Sequence, residues 1–190
     1  MYDAISDPYC YDGTTVLKNI PGIHDQAALA QFETAMTTQR ADEPLPTGRL
    51  SVGHYRAIHR HLFQDVYIWA GSFRTVRMSK DGSAFCYPEH INREMTALFT
   101  ELRLRQYFRG ISADEFARGA AHFLSTLNAI HPFREGNGRT QTTFLALLTE
   151  RAGHSLQLEE LIPERFLGAM IASFEGNEQP LSEELRRLIS

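Results

Sequence analysis

Residues 112–153 read SADEFARGAAHFLSTLNAIHPFREGNGRTQTTFLALLTERAG. Ser112 with Glu115 three residues on is a capping box, in which a hydroxyl and a carboxylate satisfy each other's backbone N–H at a helix start. From there Phe116, Ala120, Phe123, Leu124 and Leu127 recur at helical spacing, which predicts a helix to about Asn128 with one apolar face. A second, strongly apolar helix follows the turn at 131–138 and is expected to pack centrally. Two buried helices joined through that turn set the class as mainly α.

Outward from this pair the same signals continue. Asp25 is placed to cap a helix reaching about Gln39, and Ser51 to cap SVGHYRAIHRHLFQDVY, where Tyr55, Ile58, Leu62 and Val66 share a face. Trp69-Ala70-Gly71 ends that helix. Asp81-Gly82 between extended-looking segments predicts a β-hairpin at about 73–87. Pro88 starts a helix with Met95, Leu98, Phe99 and Leu102 buried, and two more helices are expected near 163–174 and 181–189. Residues 1–24, rich in Asp, Pro, Gly and Tyr, read as an irregular arm. The expectation is one domain over 1–190: a bundle of about six to eight helices with one hairpin.

Composition bounds the function. A net charge of −4 gives no electrostatic case for direct nucleic-acid binding. The two cysteines, Cys10 and Cys86, make no disulfide framework or zinc site, so a reducing cytoplasm is expected. No stretch approaches the roughly 18 apolar residues of a membrane span, the start carries no signal-peptide pattern, and no Walker A sequence occurs. His59 and His61 lie two apart on a helix and point to different sides, which disfavours a shared metal.

The turn carries the chemistry. Gly136 and Gly138 flank Asn137 just before a helix, where backbone N–H groups lack intrahelical acceptors and the dipole favours an anion. Arg139 in the first turn adds a cation whose place there a bound phosphate would explain. Glu135 is a hard oxygen ligand suited to magnesium beside phosphates, and His131 titrates near neutrality and is a candidate base for an attacking hydroxyl. Phe133 reads as a core anchor. Singly, each has a plain structural explanation: an exposed loop histidine, a turn, a solvated carboxylate. Together within nine residues they describe phosphoryl or nucleotidyl transfer. That reading requires the His131 imidazole to be open to solvent and the turn to have room for an anion.

HPFREGNGR, residues 131–139, closely resembles the signature of the Fic family, His-x-Phe-x-(Asp/Glu)-Gly-Asn-Gly-Arg-x-x-Arg. LFQDVYIWAGSFRTVRMSKDGSAFCYPEHI is similar to the family's flap region, and DPYCYDGTTVLKN to the opening of short bacterial Fic toxins. The resemblance implies the Fic fold and a protein adenylyltransferase that moves AMP from ATP to a hydroxyl side chain of a target protein. It implies His131 as catalytic base, Glu135 as the Mg2+ ligand, and Gly136, Asn137, Gly138 and Arg139 as phosphate-binding residues. The flap is expected to hold the target by strand addition, with Lys80 and Phe85 either clamping it or serving as a turn charge and a core aromatic. Likeness to short toxins suggests a gyrase or topoisomerase IV subunit as target.

One position departs. The family's second arginine falls at position 142, where this chain has Thr142. A lost charge-assisted contact would weaken ATP binding by about 1.5–3 kcal/mol. The alternatives this leaves open are another donor or transferred group (UMP, phosphate or phosphocholine) and a catalytically weak Fic domain acting as a binding module. The family's inhibitory motif, Ser/Thr-x-x-x-Glu-Gly/Asn, has only a mismatched counterpart at Ser155–Glu159, followed by Glu160, so restraint by a separate small antitoxin is expected.

Overall fold

The computed structural model describes residues 7–80 and 83–190. Their helices begin where the caps predict. Asp25 accepts from the Ala28 N–H at 2.7 Å to open α1 (Gln26–Ala41), and Ser51 accepts from His54 N–H at 3.2 Å to open α2 (Val52–Phe63). After β1 (Ser79–Lys80) and β2 (Ser83–Ala84), an antiparallel pair, comes α3 (Pro88–Leu104). The capping box is complete at the start of α4 (Ala113–Ile130), and α5 (Asn137–Ala152), α6 (Pro163–Phe174) and α7 (Gln179–Leu188) follow. The described residues are thus mainly helical, with seven α-helices and one small sheet. None of those helices is long and apolar enough to cross a membrane.

The expected hairpin at 73–87 is reduced to two residues per strand, with Phe85 N–H donating to Met78 O at 3.1 Å just beyond them. Asp81-Gly82, the proposed turn, lies outside the described residues. In the flanks Arg74, 2% exposed, donates from its guanidinium to the carbonyls of Val76 and Cys86, each at 2.6 Å. A side chain there does the work of a ladder. The second expected helix also stops early, at Phe63 rather than Tyr67. Val66 and Tyr67 continue as a turn, both N–H groups donating to Phe63 O.

The chain divides into two compact units. One comprises the residues up to Glu89 with Pro132–Thr140. In it α1 packs on α2, and Tyr55, Ile58, Phe63, Val66 and Phe133 are fully buried. The arm folds back on itself through an isolated bridge, Cys10 to Leu17. The other unit comprises His90–His131 and Gln141–Ser190. There α4 packs against α6 and α7, and the rings of Phe99, Phe123 and Phe144 meet at 5.4–5.6 Å.

Candidate active site

The first unit contains the turn from Pro132 to Thr140. Asn137 shapes it: its Oδ1 accepts from the Phe133 N–H at 3.0 Å and its Nδ2 donates to the Phe133 carbonyl at 2.8 Å. This side chain is 3% exposed and bonds the loop through both its Oδ1 and its Nδ2. Phe133 is the anchor the sequence suggests, 0% exposed and stacked on Tyr55 at 5.5 Å.

The two glycines differ in kind. Gly136 has φ +80°, and a Cβ there would meet the Phe63 ring at 2.3 Å, so both conformation and space demand glycine. Gly138 has open space where its Cβ would be and lies exposed in the first turn of α5. That leaves open space at a helix start.

Glu135 bends back so that its carboxylate accepts from Gly136 N–H at 2.9 Å, with a third of its side chain exposed. Burial pushes its pKa up, partly opposed by that hydrogen bond, and the neighbouring Glu33 adds to the rise. A partly exposed oxygen donor that carries its charge at a cost suits a divalent cation. Arg139 makes an ion pair with Glu33 from α1, donates to Thr37 Oγ1 at 3.1 Å, and lies over the Phe63 ring at 4.6 Å.

Residues far from the motif hold this turn in place. His59, 0% exposed, accepts the Gly71 N–H on Nδ1 at 2.8 Å, which leaves its proton on Nε2 to donate to the Glu135 carbonyl at 3.0 Å. Its ring stacks on Phe133 at 3.7 Å. Burial lowers its pKa to about 4, so it is neutral. Both nitrogens are committed, as is His61 Nε2, which bonds to Arg40 O at 2.7 Å. Arg134, at a variable motif position, forms a buried 2.7 Å ion pair with Asp7 of the arm. Arg74 N–H donates to Pro132 O at 2.9 Å, joining the base of the hairpin to the turn. Phe85 is 7% exposed, the core aromatic of the two readings, and Lys80 is exposed.

His131 and Thr142 belong to the second unit. His131 is the C-cap of α4, with φ 47°, ψ 63° and its N–H on Leu127 O at 3.0 Å. It is 5% exposed, which corrects the expectation of a solvent-open imidazole. The helix ends on it in a left-handed conformation, so the residue that the motif suggests as an open loop histidine is a buried helix cap. Thr142 is half-buried on α5.

The Fic/DOC family model matches residues 49–149, which include α2, the hairpin and the whole turn. The chain belongs to the Fic/DOC family. This Fic/DOC chain is 54% identical over 189 residues to a probable protein adenylyltransferase, y4lH, of Sinorhizobium fredii, covering 99% of this chain and 98% of that one. It is 37% identical to the protein adenylyltransferase VbhT of Bartonella schoenbuchensis, covering 98% of this chain but 40% of that longer one. Among solved structures, the BepC protein of Bartonella tribocorum with bound AMPPNP superposes with a TM-score of 0.84 at 29% identity, covering 96% of both chains. The Fic fold expected from the motif is therefore the fold observed.

Proposed function

We propose that this chain is a protein adenylyltransferase that moves AMP from ATP onto a hydroxyl side chain of a target protein. The observation that carries the reading is the turn itself. Glu135 and Arg139 stand at the start of α5 beside the open space at Gly138, and Asn137 and His59 brace the backbone between. Relatives named as protein adenylyltransferases, and a Fic structure holding AMPPNP, support the donor.

In this reading Asn137 and Gly138 hold phosphate oxygens through backbone N–H groups, Gly136 does so once Glu135 releases its N–H, and Arg139 does so through its guanidinium. Glu135 would hold magnesium, which when bound neutralises charge on the phosphates. His131 takes the proton of the target hydroxyl as that oxygen bonds to the α-phosphorus. The bond from the α-phosphorus to the bridging oxygen breaks, and pyrophosphate leaves. Positioning and charge stabilisation supply most of the acceleration in such transfers. The 5% exposure of His131 counts against this role, which rests on the motif resemblance.

The same proposal treats 1–190 as one Fic domain in the cytoplasm, with the flap at 73–87 receiving the target. The near-complete overlap with the Sinorhizobium relative supports that extent. It includes a separate antitoxin as restraint and a gyrase or topoisomerase IV subunit as target. Thr142 favours a second reading, a different donor. The test is incubation with magnesium and α- or γ-labelled ATP, UTP and GTP in a bacterial lysate. Label transferred from α-ATP alone supports adenylylation. Transfer from UTP supports the second reading, and γ-label alone overturns both.

A further inference from the structure

We infer that Glu33, Thr37 and Tyr67 are positioning residues that fix the Arg139 guanidinium for the nucleotide's phosphates, an inference that rests on the adenylyltransferase reading. Glu33 and Thr37 lie four residues apart on α1 and so share a face. The Arg139 guanidinium turns its Nη2 to a Glu33 oxygen and its Nη1 to the Thr37 hydroxyl at 3.1 Å. The acceptor is prepared in advance: Thr37 Oγ1 gives its own proton to the Glu33 backbone carbonyl at 2.8 Å, so a lone pair is left for arginine. The second Glu33 oxygen accepts from the Tyr67 phenol, which holds the carboxylate from the opposite side. The Phe63 ring supports one flat face of the guanidinium at 4.6 Å.

The exposures distinguish a brace from a plug. The Glu33 side chain is 12% exposed and Arg139 is 39% exposed, so the carboxylate lies behind the guanidinium and not between it and solvent. A long arginine held by these partners is fixed in one orientation before a phosphate arrives, so less of its freedom is lost on binding. With threonine at 142, only one of the family's two defined arginine positions is filled, and the aim of Arg139 matters more.

The experiment is calorimetric titration of AMPPNP with magnesium into the full chain and into Glu33→Gln, Thr37→Val, Thr37→Ser and Tyr67→Phe, with melting temperatures alongside. The expected result is an affinity loss of about tenfold for Glu33→Gln, a smaller loss for Thr37→Val and Tyr67→Phe, and near-full affinity for Thr37→Ser, which keeps the hydroxyl. In the transfer assay the loss falls on KM for ATP and spares kcat. Tighter binding by Glu33→Gln would show that the carboxylate competes with phosphate and would overturn the inference. Unchanged affinity with a lowered melting temperature would reduce the cluster to a structural brace and overturn it as well. Failure of the unsubstituted chain to bind the nucleotide at all would overturn the adenylyltransferase reading itself.

Discussion

His59 and Glu135, 76 residues apart in sequence, are joined by a 3.0 Å hydrogen bond from an imidazole Nε2–H to a backbone carbonyl. The bond fixes the peptide that follows Glu135, which feeds the N–H groups of Gly136 and Asn137 into the turn. It works only while His59 is neutral, because Nδ1 must accept from Gly71.

That requirement makes stability depend on pH. The His59 pKa falls from 6.5 to about 4 in the folded chain, so between those values the unfolded chain binds a proton that the fold excludes. The contribution is complete above pH 6.5 and is lost as pH falls toward 4, in total about 3 kcal/mol. Urea unfolding at pH 7.5 and pH 5.0 checks this. His59→Gln, which has no ring to protonate, should be less stable at pH 7.5, and its deficit should shrink by about 2 kcal/mol at pH 5.0. An unchanged deficit would mean the imidazole is not held neutral.

The two motif glycines should respond in opposite ways to alanine. Gly136→Ala drives a Cβ into the Phe63 ring at φ +80°, and a loss of about 2–4 kcal/mol is expected in thermal or urea unfolding. Gly138→Ala meets nothing and sits in a helix, where alanine gains about 1 kcal/mol. Its melting temperature should hold or rise while AMP transfer falls, since the methyl group occupies the space assigned to phosphate. Full activity in that variant would place the phosphates elsewhere.

These contrasts separate what sequence could tell from what it could not. Helix starts were legible because a cap is a local bargain: Asp25, Ser51 and Ser112 each bond to an N–H three residues on. The turn was legible because its chemistry is contiguous. Glu33, His59, Tyr67 and Arg74 were not, since Glu33, His59 and Arg74 meet the turn or its arginine from far along the chain, Tyr67 meets Glu33, and a buried hydrogen-bond partner leaves no periodic trace. Where the short strands stop, the Arg74 guanidinium bonds to the carbonyls of Val76 and Cys86, contacts that no local pattern announces. The burial of His131 was not legible, because a left-handed cap leaves the helical period and the motif suggested an exposed loop.

Charge balance in the first unit makes nucleotide binding depend on metal. Arg139 is flanked by two carboxylates, Glu33 in an ion pair and Glu135 at 3.9 Å. A triphosphate brought there alone meets the Glu135 carboxylate, whose charge a divalent cation would balance. Excess EDTA should weaken AMPPNP binding about tenfold or more, and magnesium should restore it. Equal affinity with and without chelator would remove Glu135 from the role of metal holder.

His131 decides whether the turn does chemistry or only binds. Intact-mass measurement of a lysate target, after incubation with the chain, magnesium and α-labelled ATP, should show one added AMP. His131→Ala should abolish that label while its melting temperature and AMPPNP affinity stay close to those of the unsubstituted chain. Labelling by His131→Ala at anything near the original rate would contradict the assignment of the proton acceptor, and with it the mechanism built on this turn.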